Sequence, residues 1–255
     1  MKQTAANEVR RAKKKGHVVF GEALAVGLAQ DGRHYWDEDW DHAAGYVMSP
    51  VIDPNPQTKD HLMRLISTHD IDTTATDNCT FTTEQKRMGL EGFNKIPNGC
   101  NGLEDRYSVV WERGVNTGMI SPSDFVRVTS TNSAKIFNMY PRKGIVQEGS
   151  DADLVIFDPN ATKTISKRSH HHSVDFNAFE GMTVKGVVET TLLSGKEVYH
   201  QGKLSCTPGG GKFVARQTFG FPYERIPVLD RLKEIRETPV DRSKKTKKNP
   251  QDQID

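Results

Sequence analysis

The segment Ile71-Asp72-Thr73-Thr74-Ala75-Thr76-Asp77-Asn78-Cys79 runs from a β-branched stretch straight into a polar turn. Ile and Thr suit a pleated, half-buried strand. The strand follows Lys59 to Thr68, where Leu62, Met63, Leu65 and Ile66 gather on one side of a helix. A helix followed by a strand that ends on a carboxylate is where α/β folds place their chemistry. The same Asp77-Asn78 pair ahead of Thr80 equally suits an Asx turn or a helix N-cap. Local pattern leaves both readings open.

Working outward, Thr4 to Lys15 reads as a helix with Ala5, Ala6, Val9 and Ala12 on its apolar face and Gly16 as its stop. His17-Val18-Val19-Phe20 reads as a buried strand ended by Gly21. Tyr35 to Tyr46 reads as a solvated acidic helix face anchored by Trp36 and Trp40, and Ser49 to Pro56 as an ordered Pro-rich loop. Gln85 to Asn101 reads as a Gly- and Asn-rich loop, in which Asn98 and Asn101 either form turns or touch a ligand. Glu104 to Thr117 is a helix, Ser121 with Pro122 and Asp124 opens the next, and Thr131 to Asn138 forms another.

The period changes at Pro141. Short strands are expected at Gly144 to Val146, Asp153 to Phe157, Thr183 to Val188, Thr191 to Leu193 and Glu197 to Tyr199, with a hairpin turn at Ser194-Gly195-Lys196. From Gly209 the chain is Gly/Pro-rich and then basic through Arg242, Lys244, Lys245, Lys247 and Lys248, the pattern of a mobile tail.

With 255 residues the chain makes one large or two small domains. The 35 Lys and Arg nearly balance 33 Asp and Glu, which argues against nucleic acid as a partner. No apolar run approaches the roughly 20 residues that span a bilayer, and no apolar segment follows the basic start as in a secretory signal. Cys79, Cys100 and Cys206 are unpatterned, consistent with a reducing, cytoplasmic compartment. His170-His171-His172 suits a loop, because adjacent side chains diverge too far to share one ion.

Several strings together resemble the dihydropyrimidinase/hydantoinase family of cyclic amidohydrolases. They include Val18-Val19-Phe20-Gly21-Glu22, His34-Tyr35-Trp36, Asp77-Asn78-Cys79-Thr80-Phe81 and Lys95-Ile96-Pro97-Asn98-Gly99. Glu104-Asp105-Arg106, Thr129 to Asn138, Tyr140 to Gly144, Gly149 to Ile156 and Asn177 to Gly181 continue the match. The likeness runs from about Thr4 to Arg225 and covers the C-terminal half of the family's chain.

The resemblance implies an α/β fold: the C-terminal part of a (β/α)₈ barrel over residues 1–140, part of a β-sandwich over 141–212, and an extended, partly disordered tail over 213–255. It implies hydrolysis of cyclic amides such as 5,6-dihydrouracil, dihydrothymine or a hydantoin in pyrimidine catabolism, through hydroxide activated by two zinc ions. By position Asp77 matches a metal-binding and proton-transferring carboxylate. Ser49 and Asn98 match residues whose backbone groups hold the substrate's ring amides. A homotetramer is implied as well. The family's other metal ligands have no counterpart in this sequence, so the chain alone is expected to be incomplete and inactive. The alternative is a non-catalytic relative that associates with full-length subunits or with cytoskeletal partners. That branch lacks the acid matching Asp77, which this chain retains.

Overall fold

A computed structural model describes residues 1–239. The basic run from Arg242 to Lys248 lies outside the described residues. In chain order the α/β part comprises α1 (Gln3–Lys14), β1 (Glu22–Leu24), α2 (Ala25–Ala29), α3 (Trp40–Gly45), α4 (Thr58–Ser67), β2 (Thr73–Ala75), α5 (Thr83–Lys86), α6 (Arg106–Val110), α7 (Pro122–Val126) and α8 (Asn132–Ile136). The helices α6 and α7 each continue into a wider turn, Trp111–Val115 and Arg127–Thr131. The β part holds β3 (Leu154–Thr164), β4 (Thr183–Leu193), β5 (Lys196–His200) and β6 (Lys203–Leu204), and α9 (Phe221–Glu237) follows.

Strands β1 and β2 pair in parallel, Glu22 opposite Thr73 and Leu24 opposite Ala75. Parallel neighbours need a long crossover, and α2 to α4 supply it. The apolar side of α4 meets Ala23, Leu28 and Ile71, then Val110, Phe125 and Val128 from the later helices. This places Leu62 and Ile66 in full burial, which stabilises each by roughly 1.5–3 kcal/mol over exposure.

The strand expected at His17 to Phe20 starts later. Its ladder begins only at Gly21, whose N–H donates to Asp72 Oδ2 at 2.8 Å while Asp72 N–H donates back to the Gly21 carbonyl. Phe20 is left exposed. Of the two tryptophans expected as anchors, Trp36 is 72% exposed. The loop expected from Gln85 begins inside α5, where Thr82 and Gln85 form a reciprocal cap.

The other sheet is antiparallel in the order β3-β4-β5-β6. Thr183 to Leu193, expected as two strands, forms one. The β3–β4 register shifts between Asp158 and Thr162, around Pro159, which has no N–H to give a ladder. The β4–β5 hairpin turns at Ser194 and Gly195, both at positive φ. Gly144 to Val146 forms no strand. The segment expected as an extended tail contains α9 instead.

A shared core joins the two parts. Ile165, Ala178, Phe179 and Val184 pack with Val26, Tyr46, Ile52, Cys100 and Val109. The Ala178 carbonyl accepts from both Tyr46 Oη and Gln30 Nε2.

Candidate functional site

Asp77 lies just beyond the C-terminal end of β2, with φ of 49° and an exposed carboxylate. Positive φ is uncommon outside glycine, though Asp and Asn tolerate it. The residue therefore turns the chain out of the strand and presents its acid at the strand's end. Its neighbour Asn78 accepts a hydrogen bond from Gly102 N–H at 3.2 Å. This contact bridges to a loop 24 residues on, so it is neither an Asx turn nor a helix cap; the cap of the following helix α5 is Thr82.

Ser49 follows the buried Met48 and is itself exposed, as is Asn98. Backbone hydrogen bonds bring the segments of all three residues together. Gly99 N–H donates to the Val47 carbonyl at 3.0 Å, joining the Asn98 loop to the Ser49 loop. Cys79 N–H approaches the Cys100 carbonyl at 3.4 Å, joining the Asp77 loop to the same segment. The approach is so close that a Cβ at Gly99 would fall 2.7 Å from Cys79 Cβ and against the Cys79 carbonyl. Only glycine allows this crossing.

Asn101 braces the same region from inside. It is buried, accepts from Phe81 N–H, and donates to the Phe81 and Phe176 carbonyls. Its amide is a bracket between distant loops, which is neither the turn nor the ligand contact expected from the sequence.

Lys86 belongs to the same region, though no sequence motif marks it. The residue is 2% exposed. Its Nζ donates to the carbonyls of Val47, Pro97 and Gly99 at 3.0, 2.7 and 2.6 Å. Burial lowers its pKa to about 8, against a smaller raising influence of the Cys100 and Cys79 thiols. Burial likewise pushes the Cys100 thiol up to about 12. No spacing rule marks such a lysine, since its acceptors come from other loops.

A cleft of about 700 Å³ opens beside β2, lined in part by Glu22, Thr74, Thr76, Arg106, Thr129 and Tyr199. Arg106 in its wall donates to the Thr74 carbonyl at 2.8 Å. Ser49, Asp77 and Asn98 are not among its lining residues. The His170-His171-His172 run braces a turn: His171 contacts Glu104 and the Gly202 carbonyl, and His170 the Val174 carbonyl.

Among the described residues, no cluster of three or more His, Cys, Asp or Glu is placed to hold a metal ion. A catalytic zinc needs about three protein ligands. The residues present therefore do not by themselves fit a resident zinc pair, and Asp77 offers at most one ligand. No helix among the described residues is long and apolar enough to cross a membrane.

Residues 51–198 match the model of the amidohydrolase family. The dihydropyrimidinase of Dictyostelium discoideum is 50% identical over 238 residues, 93% of this chain and 47% of that protein. The mouse dihydropyrimidinase-related protein 5 is 42% identical over 241 residues, 94% of this chain and 42% of that protein. The crystal structure of dihydropyrimidinase from Brevibacillus agri superposes with a TM-score of 0.82 at 38% identity, covering 85% of this chain and 47% of that one. The chain thus spans about half the length of the relatives it matches. It belongs to the amidohydrolase family, in the branch of the dihydropyrimidinases and hydantoinases.

Proposed function

We propose that this chain carries the carboxylate and the substrate-holding loops of a dihydropyrimidinase-type cyclic amidohydrolase. The observation that carries the reading is the convergence just described. The Asp77, Ser49 and Asn98 segments come from three separate stretches, yet backbone hydrogen bonds hold them against one another at the end of β2.

The substrate class is a cyclic amide such as 5,6-dihydrouracil, dihydrothymine or a hydantoin. Its ring presents N–H donors and C=O acceptors in one plane. Backbone groups at Ser49 and Asn98, fixed by the Gly99–Val47 bond, are suited to that pattern. Ring opening adds water to the amide carbon, breaks the C–N bond and delivers a proton to the departing nitrogen. An exposed carboxylate can take the proton from the water and hand it to that nitrogen, and Asp77 is assigned this role. Zinc supplies hydroxide at neutral pH in sites of this kind. Here it requires ligands beyond Asp77, so the chain by itself is not expected to turn over substrate.

A non-catalytic, associating role is the second reading. The higher identity to the Dictyostelium dihydropyrimidinase than to the mouse related protein favours the enzyme reading. A cytoplasmic homotetramer belongs to the same proposal.

The test is a chimera in which this chain replaces the matching part of the Dictyostelium enzyme. Zinc-dependent opening of 5,6-dihydrouracil supports the reading. A folded, metal-loaded chimera without turnover refutes it.

A further inference from the structure

We propose that Lys86 is a positioning residue whose side chain sets the spacing between the Ser49 and Asn98 loops by holding the Val47, Pro97 and Gly99 carbonyls on one nitrogen. The inference deepens the cyclic-amide reading and rests on it for what the spacing serves.

The donor count supports it. An ammonium has three N–H donors and no acceptor, and Lys86 meets three carbonyls within 3.0 Å. Nothing is left over for solvent, in keeping with 2% exposure. Two of those carbonyls flank Asn98, and the third lies two residues before Ser49. The Val47 carbonyl is doubly used, since Gly99 N–H reaches it as well. Lys86 and Gly99 therefore close one joint from opposite sides.

The geometry is also costly to build. A buried polar group is tolerated only when its hydrogen bonds are made. The charged and titratable groups around Lys86 do not supply a counterion. Cys79 and Cys100 come from the packed loops, and Cys100 stays a neutral thiol at pH 7. From α3, Asp41 is taken up by Arg87. What recompenses the buried nitrogen is backbone, and backbone contacts of this kind fix loop positions. The Phe81 ring at 5.4 Å from Nζ closes the remaining side.

The experiment is amide hydrogen exchange on the full chain at pH 7, read at Gly99 and over residues 46–52 and 96–102. Lys86→Met keeps the apolar stem and removes every donor. Lys86→Arg keeps cationic donors in a bulkier head. The expected result is exchange about tenfold or more faster in both loops for Lys86→Met, with partial recovery in Lys86→Arg and unchanged protection in α4. A side chain that only fills space predicts the opposite ranking, with Met tolerated and Arg disruptive. That ranking, or wild-type exchange in Lys86→Met, overturns the proposal. The exchange result reads the joint whether or not cyclic amides are hydrolysed; failure of the activity reading shows only in the chimera.

Discussion

Asn177 Nδ2 donates to Asp105 Oδ2 at 2.8 Å, and both side chains are at most 1% exposed. The two residues lie in separate strings of the family likeness, Glu104-Asp105-Arg106 and Asn177 to Gly181, and the fold brings the strings together. Lys163 of β3 donates to the other oxygen of Asp105 at 3.1 Å. Asn177 Oδ1 accepts from Phe179 N–H. The network thus ties the start of α6 to the β part.

Asp105→Ala leaves the Asn177 amide without this acceptor and Lys163 without its carboxylate. A loss of about 2–4 kcal/mol is expected, measured by urea denaturation. Asp105→Asn, which keeps the shape, is expected to lose less. Equal stability of Asp105→Ala and wild type would remove the network from the account.

Gly99→Ala tests the loop crossing. The added Cβ would sit against the Cys79 carbonyl and Cβ. Overpacking of this kind costs about 1–3 kcal/mol, and here it is expected to force the Asp77 and Asn98 loops apart. Thermal denaturation and exchange at Cys79 check it. Wild-type values for both would show that the loops have room.

Lys86 gives a pH dependence with a definite sign. Its folded pKa is about 8, lowered by burial, against about 10.4 in an unfolded chain. Between these values the unfolded state holds the proton and the folded state does not, so this group makes stability rise with pH. Cys100 opposes it above its unfolded value, because the buried thiol ionises only near 12. The difference in stability between wild type and Lys86→Met, followed from pH 7 to 10, isolates the lysine and is expected to rise in favour of wild type. A flat difference contradicts the burial of its charge.

Asp31 governs the acid side. Arg33 donates to its carboxylate from two nitrogens and Lys59 adds a third contact, which holds the pKa well below the usual carboxylate range despite burial. The stabilisation is complete above the unfolded value near 4 and is lost as pH falls below it. Asp31→Asn is expected to be less stable at pH 7 and to show a shallower decline from pH 4 to 2. Parallel acid curves for the two proteins would rule out this role.

Locally encoded features were legible. Ser121, Pro122 and Asp124 announce the start of α7, and the structure shows the reciprocal cap. Ser194 and Gly195 announce the hairpin, and both take the positive φ that such turns need. Asp77 could be placed at a strand end because β-branched Ile71 to Thr76 precede it. Features set by distant partners were not legible. Val18 and Val19 have strand-like composition, but the ladder starts where Asp72 can reach Gly21. Lys86 looks like any helical lysine until Val47, Pro97 and Gly99 are folded around it. Trp36 reads as an anchor by residue type alone, yet the structure leaves it exposed.

The most direct test of the whole account is the Asp77→Ala substitution in the Dictyostelium chimera, assayed for 5,6-dihydrouracil opening alongside its bound zinc. If Asp77 is the proton-transferring carboxylate, the turnover number falls by at least about a hundredfold while the chimera stays folded. Turnover within a few-fold of the unsubstituted chimera would contradict the assignment of Asp77 and the function built on it.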